Sequence, residues 1–142
     1  MTNPFLCLLE KMGRKKVIKA NGQDYMIRYY IWGKPKKKES DYDSVKNHSR
    51  CFNLMLHKFI TSDSEILHNH PWNWASLVFV GGYYEHLEDG TRTWRGPGSF
   101  VRRQANCYHL VELDPEVDPT WTLFFHGRRY NLWGFLTEKG WV

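Results

Sequence analysis

Cysteine is scarce in this chain: Cys7, Cys51 and Cys107 are the only three in 142 residues, an odd number at wide spacing. A small secreted scaffold held by disulfides carries more, in even number, so that class is excluded and all three read as reduced thiols. Long apolar runs are missing too. Phe5-Leu6-Cys7-Leu8-Leu9 follows Pro4 and is cut off by Glu10, Lys11 and Arg14. That is far short of the about 20 apolar residues of a spanning helix, and it lacks the layout of a signal peptide. Neither export nor a membrane is expected, and the expected compartment is the cytoplasm. No internal repeat and no sustained helical period runs through the chain.

What is abundant is aromatic. Seven Trp, eight Tyr and eight Phe make up 16% of the residues within a 42% hydrophobic total, enough for a packed core. The length suits one domain over residues 1–142, with 1–40 as a basic N-terminal segment and loop and 52–136 as the main β body. Charge is uneven: residues 1–38 hold ten Lys/Arg against Glu10 and Asp24, whereas the rest carries a small acidic excess. A basic arm attracts nucleic acid by counterion release, and Lys36, Lys37 and Lys38 would lead such a contact. A solvated face that only aids solubility explains the same residues, because no nucleic-acid motif accompanies them.

Residues 1–20 have room for a short helix, 24–32 read as a strand, and 33–40 as an exposed loop. Beyond residue 52 short strand candidates follow one another: 52–60, 66–72, 75–80, 83–87, 91–95, 99–103, 108–113, 120–126 and 131–136. The breaks hold Gly81-Gly82, Glu88-Asp89-Gly90, Gly96-Pro97-Gly98, Gln104-Ala105-Asn106 and Asp114-Pro115. Asp89-Gly90 is a hairpin turn by composition, since both residue types accept positive φ. Many short strands at this spacing predict an all-β sandwich or barrel.

His68-Asn69-His70-Pro71 is the segment that points to chemistry. In an extended strand residues i and i+2 face the same way, about 6.6 Å apart, so two imidazoles can reach one ion at about 2.0–2.1 Å. The third ligand has to come from elsewhere. Fifteen residues separate Gly82 from Gly98, and His109 follows Gly98 after five residues, Gln104-Ala105-Asn106 and two more.

These spacings resemble the two motifs of the cupin superfamily. The first is H-x-H, then Glu after three or four residues, then Gly six further on; the second is G-x5-P-x-G-x2-H-x3-N. His68 and His70 fall on the paired histidines, Gly81 or Gly82 on the glycine, and His109 on the histidine of the second motif. The departures are equally specific. The motif glutamate falls on Trp74 or Ala75, neither of which binds a metal through its side chain; Gln104 and Asn106 replace Pro and Gly, and Leu113 replaces the closing Asn. The resemblance implies a cupin-type jelly-roll barrel with a short N-terminal extension, and a three-histidine centre of His68, His70 and His109. Cysteine dioxygenase-like cupins hold iron on three histidines. Residues 52–142, with Leu54-Met55-Leu56-His57-Lys58-Phe59, Trp72, Gly81-Gly82-Tyr83, Trp121-Thr122-Leu123 and Gly140-Trp141-Val142, are similar to a group of small cupin-like proteins of phages and bacteria.

Around that centre the candidates for ligand contact are His57, Trp74, Glu85, Arg103 and His126. His57 lies on a strand feeding the site, and its favoured reading is a packed core histidine. Trp74 belongs to a set of tryptophans suited to a planar or sugar ligand or to plain core packing. Glu85 is the nearest replacement carboxylate or general acid/base, against an outward-facing charge. Of Arg102 and Arg103 only one can point inward, where it would suit a carboxylate or phosphate; Arg128 and Arg129 pose the same choice. His126 shares a strand face with Thr122 and Phe124, opposite Trp121, Leu123 and Phe125, and both faces are apolar enough to be the inner one. Cys107 reads as structural.

The expectation is a cupin binding one divalent metal, Fe(II) preferred with Mn, Ni or Zn open, acting as an oxygenase on a small molecule. Two alternatives stand beside it: a non-enzymatic module holding a small ligand or nucleic acid, and a metal-free isomerase or epimerase with a histidine base. A homodimer is compatible with the resemblance.

Overall fold

The computed structural model describes residues 3–20, 22–33, 52–62, 67–70, 72–127, 136–137 and 140–141. Lys36, Lys37, Lys38, Cys51, Arg128, Arg129, most of the expected loop 33–40 and most of the expected strand 131–136 lie outside them.

The chain opens with α1 (Pro4–Lys11), capped by Asn3, whose side chain accepts from the Phe5 amide at 2.9 Å. Proline at the first helical turn has no amide to waste there. Nine strands follow: β1 (Lys15–Ala20), β2 (Gln23–Trp32), β3 (Asn53–Phe59), β4 (Trp74–Val80), β5 (Tyr83–Leu87), β6 (Arg92–Arg95), β7 (Phe100–Arg103), β8 (His109–Leu113) and β9 (Thr120–His126). A two-residue pair, β10 (Leu136–Thr137) and β11 (Gly140–Trp141), is antiparallel. Six strands form one sheet in the order β1-β2-β3-β9-β4-β7, and β6-β5-β8 form a second.

The sheet thus begins ahead of the 52–136 span expected for the β body, because β1 and β2 belong to it. β1 escaped the sequence reading for a physical reason: Lys15, Lys16 and Lys19 crowd a six-residue strand. Lysine on an edge strand discourages pairing with other chains, so charge there is compatible with a sheet. Lys15 and Lys19 are matched on the surface by Glu10 and Asp24.

Period-two burial sets the interior. Asn53, Met55, His57 and Phe59 of β3 point inward, as do Trp74, Ser76 and Val78 of β4 and Thr120, Thr122, Phe124 and His126 of β9. Register joins them into rows, with His57 opposite Thr122 and Met55 opposite Phe124. Met26, Phe59 and Val78 of the large sheet pack against Tyr83 and Val111 of the small one, which makes the two sheets the walls of one core. A second cluster of Tyr30, Met55, Trp74, Val101 and Phe124 lies deeper along the large sheet.

Two turns match their composition. Leu87 and Thr91 close the β5–β6 hairpin, with Gly90 at φ 87° and the Asp89 carboxylate accepting from the Thr91 amide at 2.9 Å. Gly81, at φ 76°, sits so close to β9 that a Cβ would lie 2.3 Å from the Pro119 carbonyl oxygen. Gly82 then exchanges hydrogen bonds with the Thr120 hydroxyl at 3.0 and 3.2 Å. One expected strand is absent as such: the described residues of 66–72 are irregular, with only His68 in a single bridge to His109. Both His68 and Asn69 are buried, so the H-x-H spacing does not come from a half-exposed strand.

Candidate metal centre

The bridge that replaces the expected strand is what gathers the histidines. His68 and His109 exchange both backbone hydrogen bonds, at 3.0 and 2.9 Å, placing their rings 4.8 Å apart. His70 is drawn in by its own amide, which donates to the Ala105 carbonyl at 3.2 Å. Asn73 fastens the same segment: its side chain accepts from the Ala105 amide at 2.9 Å, and its carbonyl accepts from Gly127 at 3.0 Å. One ligand-capable nitrogen from each of His68, His70 and His109 then falls within 4.8 Å of the others. A shared ion with bonds of about 2.0–2.1 Å spans at most about 4.2 Å between two ligands, so closure needs a shift of about half an ångström.

Two observations test whether this trio suits a cation. The Nε2 atoms of His70 and His109 lie 2.9 Å apart. At that distance either one ring donates an N–H to the other or both lone pairs are turned to a shared cation. Burial, the largest cause, and then His109 lower His68 to about 3 and His70 well below its ordinary value, so these two rings are neutral. Neutral imidazole is the form that binds metal.

Glu85 fixes the tautomer of the third ring. Its carboxylate is 1% exposed; Oε2 accepts from His109 Nδ1 at 3.2 Å, while Oε1 accepts from Arg103 at 2.9 Å and Arg95 at 3.1 Å. Burial pushes the Glu85 pKa up, but hydrogen bonding and charge from His109, followed by Arg103, outweigh it and bring the value down to about 2. An ionised carboxylate only accepts, so Nδ1 of His109 carries a proton, and its Nε2 is the nitrogen turned toward His70. The outward-facing reading of Glu85 is thereby corrected: in the five-residue β5, Tyr83 and Glu85 share the buried parity. Arg103 does turn inward, where it neutralises Glu85.

Trp74, on the motif glutamate position, fills its place with an indole. It is 3% exposed and lies 5.3 Å from the His70 ring and 4.8 Å from the His109 ring, centroid to centroid. Its Nε1 is buried without a hydrogen-bond partner among the described residues. Ala75, the alternative position, is on the outward parity of β4.

His57 and His126 are buried but stand apart from the trio. His57 stacks on Phe124 at 4.9 Å and accepts from Arg28 Nε at 3.0 Å. His126 accepts from Asn53 at 3.1 Å, donates from Nδ1 to the Gly127 carbonyl at 2.9 Å, and stacks on Trp72 at 4.0 Å. Trp72 in turn stacks on His70 at 5.0 Å, so an aromatic layer links this second polar group to the trio. Sequence reading missed Arg28, Asn53 and Arg95. The signal for Arg28 was its parity with Met26 and Tyr30, a charge flanked on its strand face by two buried residues.

Pairing order, the inner-outer alternation and the histidine placement together describe a jelly roll, and comparison with solved structures agrees. The chain is similar to the cupin-2 domain protein Rru_A2000 from Rhodospirillum rubrum, at TM-score 0.62 and 10% identity over 89% of this chain and 76% of that one. It is similar to the Fe(II) form of HppE at TM-score 0.54 and 9% identity, covering 80% and 57%. With the DMSP lyase DddQ from Ruegeria pomeroyi it shares 16% identity at TM-score 0.55, over 81% of this chain and 52% of the lyase, so it spans about half the length of that relative. No family model matches the chain, and no curated protein matches it in sequence. At these identities the likeness is one of architecture: the chain has the cupin fold. No helix among the described residues is long and apolar enough to cross a membrane.

Proposed function

We propose that this chain is a metal-dependent cupin in which His68, His70 and His109 hold one divalent transition-metal ion, Fe(II) by preference with Mn, Ni or Zn as alternatives, and that it oxidises a small molecule with O₂. The observation that carries the reading is the convergence of His68, His70 and His109, one ligand-capable nitrogen from each within 4.8 Å of the others, with the far nitrogen of His109 occupied by Glu85. The cupin folds of the Fe(II) protein HppE and of a lyase support it in kind.

A bound ion would supply Lewis acidity, and as iron also access to O₂ chemistry, with positions left open by only three protein ligands. The chain's own residues do the rest. Glu85 holds the Nδ1 proton of His109 and so keeps Nε2 available. Arg95 and Arg103 keep Glu85 ionised and in place. Trp72, Trp74 and Phe124 wall off the rings from bulk water. Metal content of protein purified without chelators tests the reading. One equivalent is expected, or uptake of one equivalent of Fe(II) or Co(II) by the stripped protein, lost in His70→Ala and His109→Ala. A stripped protein that takes up no ion overturns it.

The Glu85–His109 pair favours one second reading, a metal-free isomerase or epimerase in which His109 Nε2 accepts a proton from substrate. Activity that survives stripping would decide for that reading.

A further inference from the structure

Three arginines reach into this interior, and they differ in one respect. Arg95 and Arg103 share the Glu85 carboxylate at 3.1 and 2.9 Å. Arg28, on β2, has no acid among the described residues. Its Nε donates to His57 Nε2 at 3.0 Å and its Nη1 approaches the Tyr30 hydroxyl at 3.5 Å. Both partners are neutral: burial, then the Arg28 charge itself, then His126 hold the His57 pKa well below its ordinary value. Three of the five guanidinium N–H groups therefore have no protein acceptor among the described residues. Because Arg28 Nε occupies His57 Nε2, the neutral His57 ring carries its hydrogen on Nδ1, and that donor too has no partner among the described residues.

Position makes this surplus of donors relevant to the metal centre. Arg28 lies opposite His57 in the β2–β3 register, on the parity of Met26 and Tyr30 that faces the core. His57 stacks on Phe124, and Phe124 lies between it and Trp72, Trp74 and His70, at 5.6, 5.5 and 6.2 Å from their rings. The Arg28 guanidinium is half-buried, and among the described residues its hydrogen-bond partners are neutral groups only, which leaves it suited to an anion.

We propose that Arg28 is the anchor for a carboxylate on the substrate, so that the molecule handled in this barrel is a small organic acid whose body lies against Phe124 and Trp72. This rests on the proposed metal centre only for where the rest of the substrate goes. Nη2 and the second Nη1 hydrogen remain uncommitted among the described residues, and a planar guanidinium edge matches a carboxylate in two parallel hydrogen bonds. One unmatched positive charge calls for a monoanion, whereas a phosphate dianion would leave a negative charge over.

The test compares binding of benzoate, acetate, benzamide and inorganic phosphate to the full chain by calorimetry, with metal uptake measured on the same samples. Benzoate or acetate is expected to bind saturably, benzamide and phosphate not. Arg28→Met and Arg28→Gln are each expected to weaken carboxylate binding about 10- to 100-fold while taking up the same equivalent of Co(II). The two variants guard against misfolding, because Gln retains a donor for His57 and Met removes an unmatched charge. Carboxylate binding unchanged in both variants, phosphate bound in preference to carboxylate, or no carboxylate binding by a protein that loads metal would each overturn the assignment. Arg28-dependent carboxylate binding by a protein that loads no metal would keep the acid site and dismiss the metal centre.

Discussion

Acidifying the metal-free protein should destabilise it steeply. His57, His68 and His70 are all held below the ordinary histidine value of 6.5, first by burial, then by Arg28 for His57 and by His109 for the other two. In the unfolded chain each returns to about 6.5. Between the folded and unfolded values the unfolded state binds a proton that the native state refuses, so these groups leave stability intact above about pH 6.5 and erode it as pH falls below. The limiting slope is about 1.4 kcal/mol per pH unit for each group, hence about 4 kcal/mol per unit for three. For His68 that erosion continues down to about pH 3. Glu85, lowered to about 2, adds a further loss only below its ordinary value of 4.5. Against a total stability of about 5–15 kcal/mol, the native state should be lost by about pH 5 to 4. Urea unfolding followed by tryptophan fluorescence, in chelator at pH 7.5, 6.5, 5.5 and 4.5, reads the slope directly. His57→Gln should remove about one third of it. An unfolding free energy that stays flat from pH 7.5 to 5 would refute the buried neutral histidines.

Glu85→Gln keeps the shape but removes the charge that Arg95 and Arg103 share. Metal affinity, read by competition with a chromophoric chelator, should fall about 10- to 100-fold, and stability by about 3 kcal/mol, at the low end for a broken buried pair because both guanidinium groups keep some solvent. Met55→Ala empties a side chain that is 0% exposed and should cost about 2–5 kcal/mol in urea unfolding. Gly81→Ala places a Cβ 2.3 Å from the Pro119 carbonyl oxygen at φ 76°, and should lower stability by more than about 1 kcal/mol.

Much of the strand pattern was legible in the amino acids because it was local. The ninth strand occupies 120–126 as expected, and Asp89-Gly90 turns where its composition demands. His68, His70 and His109 could be grouped because motif spacing links distant residues, a signal that periodicity lacks. Glu85 could not be placed the same way: its partners Arg95 and Arg103 come from two different strands, and a glutamate in a short strand usually faces water. Arg28 was hidden by its own strand, where Tyr25, Ile27, Tyr29 and Ile31 make the outer face as apolar as the inner one. The 66–72 segment misled because H-x-H matches the alternation of a strand, whereas burial of both His68 and Asn69 needs an irregular path between two walls.

That irregular path has a mechanical consequence. Two of the three imidazoles sit on a short irregular connector tied by backbone bonds at His109 and Ala105, while the third is woven into the small sheet. Any cation gripped by all of them becomes a rivet between connector and sheet. Occupancy would then govern how often the connector lifts away, and amide exchange at residues 67–70 would slow on loading far more than exchange in the rest of the sheets.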